Sequence, residues 1–172
     1  ALALPTGEIQ RIGPVIAASA EVAWLSGSLA AETLEIRPAF DVAKRQNDPW
    51  IADELAFWLW RGGGNPGSGR DPASPFSLQI EGGWKKAAEA WQALGCPYEQ
   101  AAALADSPAE KDLRQALAIF EHLGAVPMAG IVRRKLRAGG VRGLARGAQQ
   151  RTRNNPQGLT ARELKVLALL VE

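Results

Sequence analysis

The stretch "GNPGSGRD", Gly64 to Asp71, carries the G-x-x-x-x-G spacing of a loop that cradles phosphate. Such a loop needs Lys and then Ser or Thr directly after its last glycine, so that an ammonium meets phosphate and a hydroxyl meets magnesium. Arg70 and Asp71 stand there instead, after a helical run holding Trp58 and Trp60 rather than a strand. A loop without nucleotide is the expectation. His122 is the only histidine and Cys96 the only cysteine, too few for a zinc site of the usual kind. No Ser–His–Asp arrangement forms around His122, which suits a surface or helix-end position. Asp106, Glu110 and Asp112 read as acids around a helix start, where the dipole favours them. No catalytic, metal or cofactor residue survives, and the chain is expected not to be an enzyme.

Charge offers a different chemistry. Nine of the twenty Lys and Arg fall between His122 and Arg162 with no acid among them, which leaves eleven bases against eighteen acids elsewhere. A basic stretch beside an acidic body fits a tail that meets phosphate, and it equally fits a solvated, arginine-rich linker. Arg142, Arg146, Arg151 and Arg153 are the candidate phosphate contacts. A lone cysteine gives no disulfide framework, so a reducing cytoplasm is expected. No apolar run reaches the length of a membrane span. The chain opens on Ala1 and stops at Glu172 in mid-pattern, and a piece of a longer protein is expected.

The elements that would carry these residues are helical. Helical spacing runs over 11–26, 29–46 and 48–61, with Asn47, Asp48 and Pro49 punctuating the last two. Residues 62–75 are a loop between two helical sets, expected to be mobile or held only by its neighbours. Helical patterns resume over 82–95, 97–105, 108–124 and 127–138, while "FSLQI" at 76–80 is ambiguous. Residues 139–158 read as a basic flexible linker, and 159–172 as one further helix. Phe57 and three tryptophans, Trp50, Trp58 and Trp60, cover most of one helix. Burial between neighbours is the expectation, with a groove of exposed aromatics taking a peptide or small ligand as the alternative.

The helices repeat. Placing 91–101 over 120–130 matches Trp91 to Phe120, Leu94 to Leu123 and Gly95 to Gly124. In each copy the aromatic and the leucine share a face, and glycine ends the helix. Units of this kind bury their apolar faces by stacking, which predicts an all-α helical-repeat solenoid of stacked hairpins over residues 1–138. Trp91, Leu94, Gly95 and Tyr98 fill "W-x-x-L-G-x-x-Y", which resembles the first helix of a tetratricopeptide repeat. Ala116, Phe120 and Pro127 resemble its second half, although the 29-residue shift and the longer unit depart from the pattern.

The end of the chain carries the most telling likeness. "LTARELKVLALLVE" is similar to the opening of the LuxR-type helix-turn-helix domain, through Leu159, Thr160, Arg162, Glu163, Val166 and Leu167. With the segments upstream, it resembles the large ATP-binding branch of those bacterial transcription regulators. The resemblance implies an ATP module before Ala1, no cofactor in this chain, and DNA as partner through the missing remainder of the C-terminal domain. It also implies a protein, peptide or small inducer on the helical repeats, so that this is a regulatory segment coupling sensing to transcription. A stand-alone scaffold binding peptides is the alternative. The apolar stripe of Leu164, Leu167 and Val171 is expected to fold back on the repeats or to pair two copies as a homodimer.

Overall fold

A computed structural model of the protein describes residues 8–141. The expected linker, its four arginines from Arg142 to Arg153, and the terminal helix with Leu159 to Leu167 lie outside the described residues. The chain separates into two compact units, Ala1–Gly139 and Gly140–Glu172. The helices below all belong to the first.

The described residues form eight helices and no strand. Four come before the midpoint: α1 (Ile9–Ser26), α2 (Leu29–Arg45), α3 (Pro49–Arg61) and α4 (Pro75–Ile80). Four follow: α5 (Trp84–Ala93), α6 (Pro97–Asp106), α7 (Glu110–His122) and α8 (Val126–Ala138). The protein is all-α, as the spacing predicts, and "FSLQI" belongs to the short helix α4. Proline opens several of these helices because its missing N–H costs nothing in the first turn. Pro49, Pro75, Pro97 and Pro127 all sit there. The Asp48 side chain caps α3 by accepting from the Ile51 N–H at 3.1 Å.

The matched turns after α5 and α7 have the same geometry. In each, the residue beyond the glycine donates back to the carbonyl of the buried aromatic, Cys96 to Trp91 at 3.0 Å and Ala125 to Phe120 at 2.8 Å. Gly95 and Gly124 are left-handed, at φ 72° and 70°. These are Schellman endings, and they need a residue that tolerates positive φ. Asn47 fills the same role after α2 at φ 55°. The aromatics of the pair are buried, at 3% and 0% exposure for Trp91 and Phe120. Their leucine partners are not: Leu94 is 55% exposed and Leu123 42%. Each leucine occupies the C-cap of its helix, where the chain turns away, rather than a position inside it.

Each helix packs on the next along the chain, and α1 also reaches α3. Small residues allow the approach. A Cβ on Gly13 of α1 would lie 2.5 Å from Ile51 of α3. Between α5 and α6, Ala87, Ala101 and Ala103 are fully buried. The loop after α3 is tied down from α2, where Arg37 donates to the Asn65 carbonyl at 2.7 Å and Lys44 to that of Ser68 at 2.8 Å.

Nothing lies within 4 Å of a Cβ built at Gly95 or Gly124, so substitution there tests backbone conformation alone. Gly95→Ala and Gly124→Ala should each cost about 1–2 kcal/mol in urea denaturation. A large difference between them would show that the two turns are not equivalent.

Candidate functional site

A cavity of about 260 Å³ lies where α1, α3, α4, α5 and α6 converge. Its apolar lining is aromatic. Trp24 comes from α1, Trp50, Phe57 and Trp58 from α3, Phe76 from α4, Trp91 from α5, and Tyr98 from α6. Three of these rings form a near-orthogonal corner. Phe76 and Trp91 meet at 4.9 Å and 82°, Trp50 and Trp91 at 5.9 Å and 85°, and Trp50 and Phe76 at 5.4 Å and 68°. Edge-to-face packing of this kind is favourable beyond the area it buries. Trp50 stands at the rim, 48% exposed, whereas Trp58 and Phe57 are buried. The burial expected for this helix thus holds for Phe57 and Trp58, while Trp60 is half-buried and Trp50 exposed.

A polar chain forms the floor. The Trp91 indole N–H donates to Gln79 Oε1 at 3.1 Å, and Gln79 Nε2 donates to Asp106 Oδ2 at 3.2 Å. Arg61 binds both oxygens of the same carboxylate, one of them at 3.1 Å. The two charged side chains are only 9% and 10% exposed. Arg61 also lies 4.6 Å from the ring centres of Trp24 and Phe57, within cation–π range. Asp106 proves to end α6 rather than to start a helix, a position the dipole disfavours for an acid; Arg61 supplies the compensation. Asp112 does sit in the first turn of α7, buried, and accepts from the Ser107 hydroxyl at 2.6 Å. Glu110 is exposed there and pairs with Arg114.

Three carboxylates complete the lining: Glu21 of α1, Glu54 of α3 and Glu99 of α6. Tyr98 donates its hydroxyl proton to Glu21. No donor among the described residues meets the Glu54 carboxylate. Burial, aided by repulsion from Glu99 and Glu21, pushes Glu54 from the ordinary carboxylate value up to about 7. Burial and the neighbouring Glu21 raise Tyr98 as well, so it stays a neutral donor.

The other sequence candidates sit elsewhere. His122 is exposed in the last turn of α7. Cys96 is partly buried before α6, at the edge of the cavity. In the glycine loop, carbonyls rather than N–H groups are engaged by cations, and Arg70 itself donates to the Gly67 carbonyl. That polarity is opposite to a phosphate cradle. Among the described residues no group of three or more His, Cys, Asp or Glu could hold a metal ion. None of the helices described is long and apolar enough to cross a membrane. A larger depression of about 750 Å³ follows the outer face of α1, but it is broadly open and no charged or aromatic side chain lines it. Sequence reasoning picked out Trp91, Tyr98 and the aromatic helix but missed Glu21, Glu54 and Gln79. No local pattern marks those three.

No family model, curated protein or solved structure matches the chain.

Two predictions follow from this geometry. Asp106→Ala should cost about 3–5 kcal/mol by leaving Arg61 buried and unpaired, and the double change with Arg61→Met should recover part of that loss. Recovery of nothing in the denaturation curves would mean the pair does not act as a unit. The second concerns Glu54. Its folded pKa lies above the ordinary 4.5, so its ionisation costs stability progressively as pH rises from there through about 7. Glu54→Gln should change stability little near pH 5 and raise it by about 1–3 kcal/mol near pH 8. An equal gain at both pH values would show that charge is not the cause.

Proposed function

We propose that this chain is the sensing and regulatory segment of a LuxR-type transcriptional regulator. In this reading its helices form a TPR-like stack of hairpins that couples occupancy of the α1–α3–α6 cavity to DNA binding by a C-terminal domain. The observation that carries the sensing role is the cavity itself. Its lining comes from five helices and runs from Glu21 to Ala102, so a ligand there touches the packing of both halves of the array. The matched turns at Gly95 and Gly124 support the repeat. The terminal pattern of Leu159, Thr160, Arg162, Glu163, Val166 and Leu167 supports the DNA-binding partner domain.

In a helix-turn-helix the second helix reads bases and the first braces it. The reading therefore requires the coding sequence to run on past Glu172 into a second helix with base-contacting side chains. A stop codon directly after Glu172 would overturn it.

The chain as it stands should bind duplex DNA without sequence preference. Specificity needs side chains on base edges, and the basic stretch from Arg133 to Arg162 supplies charge alone. Titration against unrelated duplexes should give dissociation constants of about 10⁻⁴ to 10⁻⁶ M that weaken steeply with salt. A strong preference for one duplex that survives high salt would place the reading element within this chain.

A further inference from the structure

The cavity described above holds an imbalance that its own residues do not resolve. Three glutamates line it, and the one basic residue in the lining, Arg61, is already bound by Asp106. Glu21 has the Tyr98 hydroxyl, whereas Glu54 has no donor among the described residues. An anion entering here would meet three acids. A neutral apolar molecule would leave Glu54 in a drier site without a partner, which is costly. A cation would relieve the repulsion among all three.

The rings point to the same chemistry. Aromatic faces attract cations through their quadrupole, and near-orthogonal rings are how proteins box an alkylated ammonium. Trp50, Phe76 and Trp91 supply such a corner. The wall already holds one cation by this means, since the Arg61 guanidinium lies against Trp24 and Phe57. A volume of about 260 Å³ falls just below the range that accepts drug-sized ligands. That size suits a small molecule.

We propose that this cavity binds a small organic cation with an alkylated ammonium head, with Trp50, Phe76 and Trp91 boxing the head and Glu21, Glu54 and Glu99 supplying the countercharge. The proposal rests on the reading of the cavity as the sensing site and names its ligand class. Binding carries a proton with it. Near pH 7 a fraction of Glu54 is protonated, and an arriving cation favours the carboxylate, so a proton leaves to solvent. Sharing the cavity with Glu54 are Glu21 from α1, Arg61 on its own helix, and Tyr98 and Glu99 from α6, with Asp106 behind Arg61. Affinity should therefore fall as pH drops through about 7.

The experiment is a calorimetric and tryptophan-fluorescence titration of the chain with choline, tetramethylammonium and the uncharged isostere 3,3-dimethylbutanol. Trp24, Trp50, Trp58 and Trp91 line the cavity and report occupancy. Choline should bind at least tenfold more tightly than the isostere at pH 8, weaken at pH 6, and release protons in buffers of differing ionisation enthalpy at pH 7. Glu54→Gln and Trp50→Ala should each weaken choline by about tenfold or more. Neither is expected to unfold the chain, because one removes a buried charge and the other a half-exposed ring. Glu89→Gln, exposed on α5 and outside the cavity lining, should change nothing. Equal binding of choline and the isostere would overturn the cation while leaving the cavity a ligand site. Failure of every probe at millimolar concentration would overturn both. A normal choline affinity in Glu54→Gln would also overturn the proposed countercharge.

Discussion

The buried contact between Arg61 and Asp106 ties the first half of the helical array to the second. It joins the last turn of α3 to the last residue of α6, across 45 residues of sequence. Removing either charge would strand the other in a largely buried site, which is the expensive way to break such a pair. The pair is also continued on both sides. Gln79 of α4 extends it to the Trp91 indole of α5, so four helices share one hydrogen-bonded line. The ammonium of Lys135 in α8 donates to the Ala105 carbonyl at 2.7 Å, beside Asp106 at the end of α6. Burial lowers the lysine's pKa, and the nearby Asp106 carboxylate partly offsets that. A fold made mostly of non-directional alanine and leucine contacts thereby acquires directional anchors that fix which helices meet and at what height.

The same line explains why the cavity can exist. Seven aromatic side chains from five helices converge above it and leave a gap of about 260 Å³ between them. A gap lined by apolar rings alone would stay dry. Here Glu21, Glu54 and Glu99 project into the same volume, so the site is charged as well as aromatic. Glu54 bears the cost, since burial and two like charges all disfavour its ionised form. Trp91 is both a core ring and a wall of the cavity.

The turns after α5 and α7 share hydrogen bonds, a left-handed glycine and a buried aromatic. The leucines at 94 and 123 show the limit of that likeness. They match in sequence and in position at the C-cap, yet neither is covered. Loop 62–74 makes the opposite point. Rich in glycine and without apolar anchors, it is nevertheless held by Arg37 and Lys44 reaching over from α2.

Local chemistry wrote the helices into the sequence. Pro49, Pro97 and Pro127, the Asp48 cap and the glycines at 95 and 124 mark boundaries through the backbone of a few adjacent residues, so no tertiary contact is needed to see them. Only α4 escaped, because six residues are too few to show a helical period. The site is another matter. Glu21, Glu54, Gln79 and Asp106 lie on four different helices, and nothing in their neighbours distinguishes them from ordinary helical residues. Asp106 even reads locally as an acid near a helix start, because its partner is 45 positions away. Whether a glutamate is a solvated charge or a proton-holding wall of a cavity depends on what surrounds it in space. Burial and long-range charge decide that, and both come into being only when the helices pack.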